Sequence, residues 1–215
     1  MAAPQPVQRR KRRPQRRDQI LAAAVRLFHE RGYHATGMDE IGAAAGITGP
    51  GIYRHFRNKE EILETLVKER GTTVLAEVQG IAEESDSAEG ALEALADHYG
   101  RSLVANPSVS IVAMYERRTL SAETRGVLER MERLNIEEWV HVLSQVRPDL
   151  GDAEARVMVH AALGMGLAVC NFKSDLDDES LAALISSMVL AALRSDGKAR
   201  QSRRAGKAGR ARKSA

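Results

Sequence analysis

One cysteine, six prolines, one Trp, four Tyr and three Phe in 215 residues leave this chain few of the usual structural devices. The lone Cys170 excludes an intramolecular disulfide and a cysteine-cluster zinc site, which fits a reducing cytosol. No apolar run is long enough to span a bilayer, since the longest, Met158 to Cys170, is broken by His160. No signal-peptide apolar segment follows the basic start, and that start lacks the pattern of a transit peptide. Strand-like alternation and internal repeats are absent, and no proline stands between Pro50 and Pro107. With so few rings the core must be aliphatic, and the Ala- and Leu-rich composition favours helices. The expectation is a soluble, cytoplasmic, all-α protein.

Charge is present but unevenly spread. Residues 1–17 hold seven Arg or Lys and no acid, and residues 194–215 hold nine against Asp196. Residues 18–193 carry 16 basic and 28 acidic side chains, the excess of acid lying after residue 60. An acidic body thus stands between two basic tails. Such like-charged runs are usually disordered and often grip polyanions.

Helical spacing of Ile20, Leu21, Ala24, Leu27 and Phe28 marks a first helix, with Asp18 as its cap and Gly32 as its stop. Thr36-Gly-Met-Asp39 has the form of a capping box before a short second helix with Ile41, Ala44 and Ala45 inward. Gly46 ends that helix. Thr48 or Gly49 opens a third, with Pro50 in its first turn, and Asn58 with Glu61 caps a fourth over 58–69. Helices near 71–84, 88–105, 107–119, 121–147, 152–172 and 177–194 complete the reading. Two short helices joined by a tight turn make a helix-turn-helix.

The stretch "GITGPGIYRHFRNKEE" (46–61) begins with poor helix formers and continues with aromatic and basic side chains. A helix N-terminus offers unpaired N–H groups and a positive dipole end to a phosphate. Small residues at Gly49 and Gly51 would let backbone approach DNA closely, and Pro50 offers an apolar surface to a thymine methyl. Tyr53, His55 and Lys59 add phosphate-binding groups beside it. With few base-reading groups, sequence preference would rest partly on DNA shape.

From Asp18 to about Glu69 the chain resembles the DNA-binding domain of the TetR family of bacterial transcription regulators. The resemblance rests on "Gly-Tyr-x-x-Thr", "Ala-Gly-Ile-Thr" and "Tyr-Arg-His-Phe-x-Asn-Lys-Glu", in that order and spacing. It implies phosphate contacts from Thr36, Thr48, Tyr53, His55 and Lys59, with Gly49, Pro50 and Gly51 facing bases. Asp39 departs from the family pattern, standing where a basic or polar residue is common. Gly51 departs too, replacing a small hydroxyl residue. The implied organisation is a basic arm (1–17), a DNA-binding domain (18–69, motif about 37–56), a ligand-binding and dimerisation domain (70–194) and a basic tail (195–215).

Such modules gain affinity as symmetric dimers on two half-sites. Val157, His160, Ala161, Gly164 and Ala168 form a small-residue stripe, and Leu181, Leu184, Ile185 and Met188 give the next helix an apolar face. The resemblance implies a four-helix homodimer interface from these two helices. Tyr99, Leu103, Met114, Met131, Leu134 and Trp139 are candidates to line an apolar cavity. Arg118, with Arg117, Arg125, Arg130 and Arg133, flanks that region and suits the head group of an acyl-CoA or other acyl effector, or pairs with nearby glutamates. The resemblance implies a repressor of a palindromic double-stranded operator, whose affinity changes when effector binding tilts the fourth helix. No cofactor, metal or membrane partner is expected.

Two other classes compete. An enzyme is disfavoured, since His98, His141 and His160 form no metalloprotease pattern and Cys170 sits in no nucleophile motif. An architectural, nucleoid-associated DNA-binding protein is suggested by the tail "GKARQSRRAGKAGRARK".

Overall fold

Aliphatic residues recurring every three or four positions wind this chain into helices. The computed structural model describes residues 12–169 and 172–196. The order is α1 (Arg12–Arg31), α2 (Met38–Ala44), α3 (Gly49–Ile52), α4 (Lys59–Glu84), α5 (Ala88–Ala105) and α6 (Pro107–Tyr115). A 3-10 turn over Glu116–Arg118 leads to α7 (Ala122–Val146), α8 (Asp152–Val169) and α9 (Asp178–Arg194). Among the described residues there is no strand, and no helix is long and apolar enough to cross a membrane.

Three boundaries differ from the sequence reading. Helix α1 starts at Arg12, so Asp18 is an interior residue rather than its cap. Pro14 is tolerated because it lies in the first turn, where its missing N–H has no intrahelical partner to lose. The turn is anchored by Arg17, whose guanidinium meets Glu69 on α4 at 2.6 Å and lies over the Phe56 ring. The basic arm is therefore helical from residue 12, while residues 1–11 and 197–215 lie outside the described ones.

At α2 the capping box is shifted by one residue. Gly37 is the cap, and the Glu40 carboxylate, not Asp39, accepts its N–H at 2.8 Å. The third difference is α4. Asn58 caps it as expected, accepting from the Glu61 N–H at 2.9 Å, but the helix runs unbroken through Gly71. A Cβ on Gly71 would stand 2.9 Å from Met131 Sδ, so this glycine lets α4 and α7 approach. The expected domain boundary at residue 69/70 thus falls inside one continuous helix.

Two apolar cores result. Ile20, Leu27, Ile41, Ile52, Phe56 and Ile62 form the first, which Val112 of α6, Leu128 of α7 and Leu120 of the connection between them join. Leu92, Leu95, Trp139, Leu143, Val159 and Val189 belong to the second, which α5, α7, α8 and α9 share. Helix α4 contributes to both, through Ile62, Leu63 and Leu66 at one end and Val78 at the other.

Candidate DNA-binding face and interior cavity

Gly46 makes the turn between α2 and α3 at φ +66°, a conformation that costs glycine little. Ile52 and Phe56 are buried in the first core and hold α3 against the α1–α2 pair. The opposite side of the same stretch is outward: Thr48, Pro50 and Arg54 are exposed, Tyr53 is 54 % exposed and His55 half-buried. Thr48 caps α3 through its extended backbone, and its hydroxyl makes no capping hydrogen bond.

The glycines have an internal reason as well. A Cβ on Gly51 would lie 2.6 Å from Ile47 Cγ2, and one on Gly49 would lie 2.8 Å from Asp39 Oδ1. Small residues here let the turn close. The same contact places the exposed Asp39 carboxylate beside the start of α3, so it is no cap for α2.

Two residues expected at phosphate are engaged elsewhere. The Thr36 side chain is 2 % exposed, and its hydroxyl donates to the Gly32 carbonyl at 2.9 Å. In this position it ties the end of α1 to the start of α2 and does not reach solvent. Lys59 is half-buried, its ammonium donating to the carbonyls of Tyr33 (3.0 Å), Thr36 (3.2 Å) and His34 (3.4 Å). It also lies 4.5 Å from the Tyr33 ring centroid. Burial first, then the Glu60 carboxylate, raises the Tyr33 pKa, so the ring beneath the ammonium stays neutral. Lys59 thus fastens the first turn of α4 to the α1–α2 connection.

Thr36→Val keeps the shape and removes this internal bond. Unfolding free energy should fall by about 1 kcal/mol, while DNA affinity of the folded protein stays within about twofold. Chemical denaturation and a DNA titration on one preparation separate the two effects.

Behind this face, α4 to α8 enclose a cavity of about 520 Å³. Tyr99, Leu103, Met131 and Trp139 line it. Leu134 does not, because it stands on the outer side of α7 at 39 % exposure. Arg118 is exposed in the 3-10 turn and is also not at the wall. The side chain of Met114 lies outside the described ones. Arg117 does border the cavity, but it is held by Glu132 at 2.7 Å and Glu129 at 3.5 Å. Arg125 donates to the Leu120 carbonyl at 2.7 Å.

The sequence reading missed Arg70, His98, Ser102 and Asn135 at the wall. Arg70 was legible in principle. Val67, Arg70, Gly71, Val74 and Val78 fall at i, i+3, i+4, i+7 and i+11 of one helix. A helix broken at 70 hides that stripe.

Val157, His160, Ala161, Gly164 and Ala168 are all exposed along α8, and two of them, His160 and Gly164, also border the cavity. Leu184 (46 %) and Met188 (42 %) are exposed on α9, with Leu181 partly so. Ile185 departs from that set at 3 % exposure. One residue on from Leu184 is about 100° round the helix, which turns Ile185 into the second core.

Comparison with known proteins agrees with this geometry. The family described as bacterial regulatory proteins, tetR family, matches residues 20–66. The HTH-type transcriptional activator FasR of Mycolicibacterium smegmatis is 52 % identical over 50 residues, 23 % of this chain and 23 % of that protein. The HTH-type transcriptional repressor KstR2 of Mycobacterium tuberculosis is 30 % identical over 145 residues, 63 % of this chain and 71 % of that protein. The structure of AibR in complex with isovaleryl coenzyme A and operator DNA is 28 % identical. It superposes with TM-score 0.68 over 80 % of this chain and 97 % of that one. The matched relatives are named as transcription regulators rather than enzymes. With its helix-turn-helix and its larger helical body, the chain belongs to the TetR family of bacterial regulatory proteins.

Proposed function

We propose that this protein is a cytoplasmic, effector-responsive transcription repressor that binds a palindromic operator as a homodimer. The observation that carries the reading is α4. One end of this helix is fastened to the helix-turn-helix by Lys59. Farther along, it forms a wall of the cavity through Val67, Arg70, Gly71 and Val74. A ligand that favours one placement of α4 therefore changes where α3 stands, provided that it binds the two placements with different affinity.

Thr48, Pro50, Tyr53 and His55, with the first N–H groups of α3, face the DNA in this reading, and Gly49 and Gly51 keep the turn narrow enough to enter. Thr36 and Lys59 hold the motif in shape. The exposed apolar stripes of α8 and α9 meet their copies in the partner subunit, as small residues at Ala161, Gly164 and Ala168 permit close approach of helices. The effector is a small, mainly apolar molecule of acyl type. Support comes from the cavity and from the isovaleryl coenzyme A named with AibR.

The test is selection of genomic fragments by the purified protein near physiological salt, where non-specific grip on phosphate is weak. One enriched inverted repeat supports the operator-reading dimer. Broad enrichment without a shared motif overturns it in favour of the architectural reading, which rests on the basic tails.

Asp39→Asn removes an acid beside the DNA face. Operator affinity should rise about 5-fold, the worth of roughly 1 kcal/mol between unit charges at 4 Å in water. A salt titration of both proteins checks this, since the difference must shrink as salt rises.

A further inference from the structure

The cavity is mostly apolar, yet it contains a cation without an ionic partner. Arg70 is partly buried in the wall, and its guanidinium donates to the Ser102 hydroxyl. Among the described residues no carboxylate stands within ion-pair distance of it. Burial lowers its pKa, with Glu77 acting against this from farther away. Arginine nonetheless keeps its charge, so the cost of desolvation remains uncompensated.

Two of the acids nearby are already engaged. Glu69, the preceding residue, is held by Arg17 at 2.6 Å. Glu132, the acid at the wall, is held by Arg117 at 2.7 Å, whereas Glu77 lies 3.4 Å from His98 Nε2 without a hydrogen bond to it and acts on Arg70 from a distance. Two further polar atoms of wall residues, His98 Nε2 and the acceptor Asn135 Oδ1, are buried and make no hydrogen bond. Gly71 faces Met131, and Gln79 donates to Glu138 at 3.4 Å, so Asn135 lies between these levels, about one turn beyond Arg70.

We propose that the effector is an apolar-bodied carboxylate whose anion is received by Arg70, its hydrocarbon part lying against Leu103, Met131 and Trp139. The proposal rests on the effector-responsive reading above and narrows its ligand class. The planar guanidinium fork matches a carboxylate, and Ser102 already fixes the orientation of one of its arms. Because Arg70 is a residue of α4, the ion pair bears directly on the helix that is fastened to the DNA-binding motif. The anion also distinguishes two sources of an acyl chain. A free acid brings its charge into the cavity, whereas a coenzyme A thioester carries a neutral carbonyl at that point and its phosphates farther out.

Titration calorimetry of the full-length protein with octanoate, octanol, octylamine and octanoyl coenzyme A near neutral pH tests this. Octanoate is expected to bind at least about 10-fold more tightly than octanol or octylamine, as a charge-assisted pair at a partly buried guanidinium should. Arg70→Gln should reduce that preference to less than about threefold, and Arg70→Lys should retain part of it. Octanol binding as tightly as octanoate, a preference that survives in Arg70→Gln, or no binding by any probe overturns the proposal. So does octanoyl coenzyme A binding more tightly than octanoate with no dependence on Arg70. Operator binding is read on the same preparations. A kept octanoate preference without operator selection overturns the regulator reading alone. Operator selection without that preference overturns the carboxylate alone.

Discussion

Gly100→Val should melt well below the parent protein. Gly100 lies inside α5, where glycine ordinarily costs about 1 kcal/mol relative to alanine through backbone entropy. That cost is outweighed here by contact. A Cβ at position 100 would stand 2.4 Å from the Ala182 carbonyl oxygen and 3.3 Å from the Ser186 nitrogen, both backbone atoms of α9. Neither can rotate aside as a side chain would, so the two helices must separate. Overpacking of this kind costs about 3 kcal/mol or more, because valine adds two methyl groups to the collision. For a chain of this size that is roughly 6–12 °C in Tm. Gly126 supplies the control, since it lies in α7 with nothing within 4 Å of a Cβ. Gly126→Ala should gain up to about 1 kcal/mol from helix propensity. Thermal melts of the three proteins decide the matter. A Gly100→Val melt equal to the parent would mean that α5 and α9 do not approach through this glycine.

The second large effect is expected from Trp139→Ala. Trp139 is 1 % exposed, packs edge-on to Tyr99 with ring centroids 6.1 Å apart, and stands between the cavity and the second core. Truncation removes the largest buried side chain of α7 and leaves space that neighbouring helices cannot fully close. The loss should be about 3–5 kcal/mol, measurable as a lower denaturation midpoint with little change in its slope. The new space adjoins the existing cavity, so ligand selection should move toward bulkier apolar bodies. The chain's one Trp offers an independent reading in the parent. A ligand in the cavity should perturb its fluorescence, and a ligand elsewhere should leave it unchanged.

The helix-turn-helix was legible because its signals are local. Gly32 and Gly46 take positive φ, and Pro50 falls in the first turn of α3, where its residue type belongs. Asn58 accepts the N–H of Glu61 three residues on, so sequence distance alone nearly determines the contact. Locality also explains the errors. Thr36 has the right type and spacing for a phosphate contact, yet its burial depends on how α1 and α2 pack. Lys59 reads as a free cation until three carbonyls from residues 33–36 are brought to it. A one-residue shift was enough to exchange Asp39 for Glu40 as the partner of a cap.

Among the candidate cavity residues, Tyr99, Leu103, Met131 and Trp139 are at the wall, while Leu134 and Arg118 are not. Residue type does not distinguish these outcomes. Leu134 and Met131 are one helical turn apart on α7 and face different surroundings. Ile185 and Leu184 differ in the same way on α9.

By itself, the sequence determined that this chain is helical, that a helix-turn-helix occupies its first third, and that its basic residues gather at both ends. Those properties follow from spacing, capping and composition, which act within a few residues of each other. Tertiary structure alone decided that α4 passes unbroken from the DNA-binding motif to the cavity wall, and that Arg70 enters that wall without an acidic partner. Both depend on which distant helices meet. Gly71 admits α7 to α4, while Glu69 and Glu132, two carboxylates near Arg70, are already held by Arg17 and Arg117.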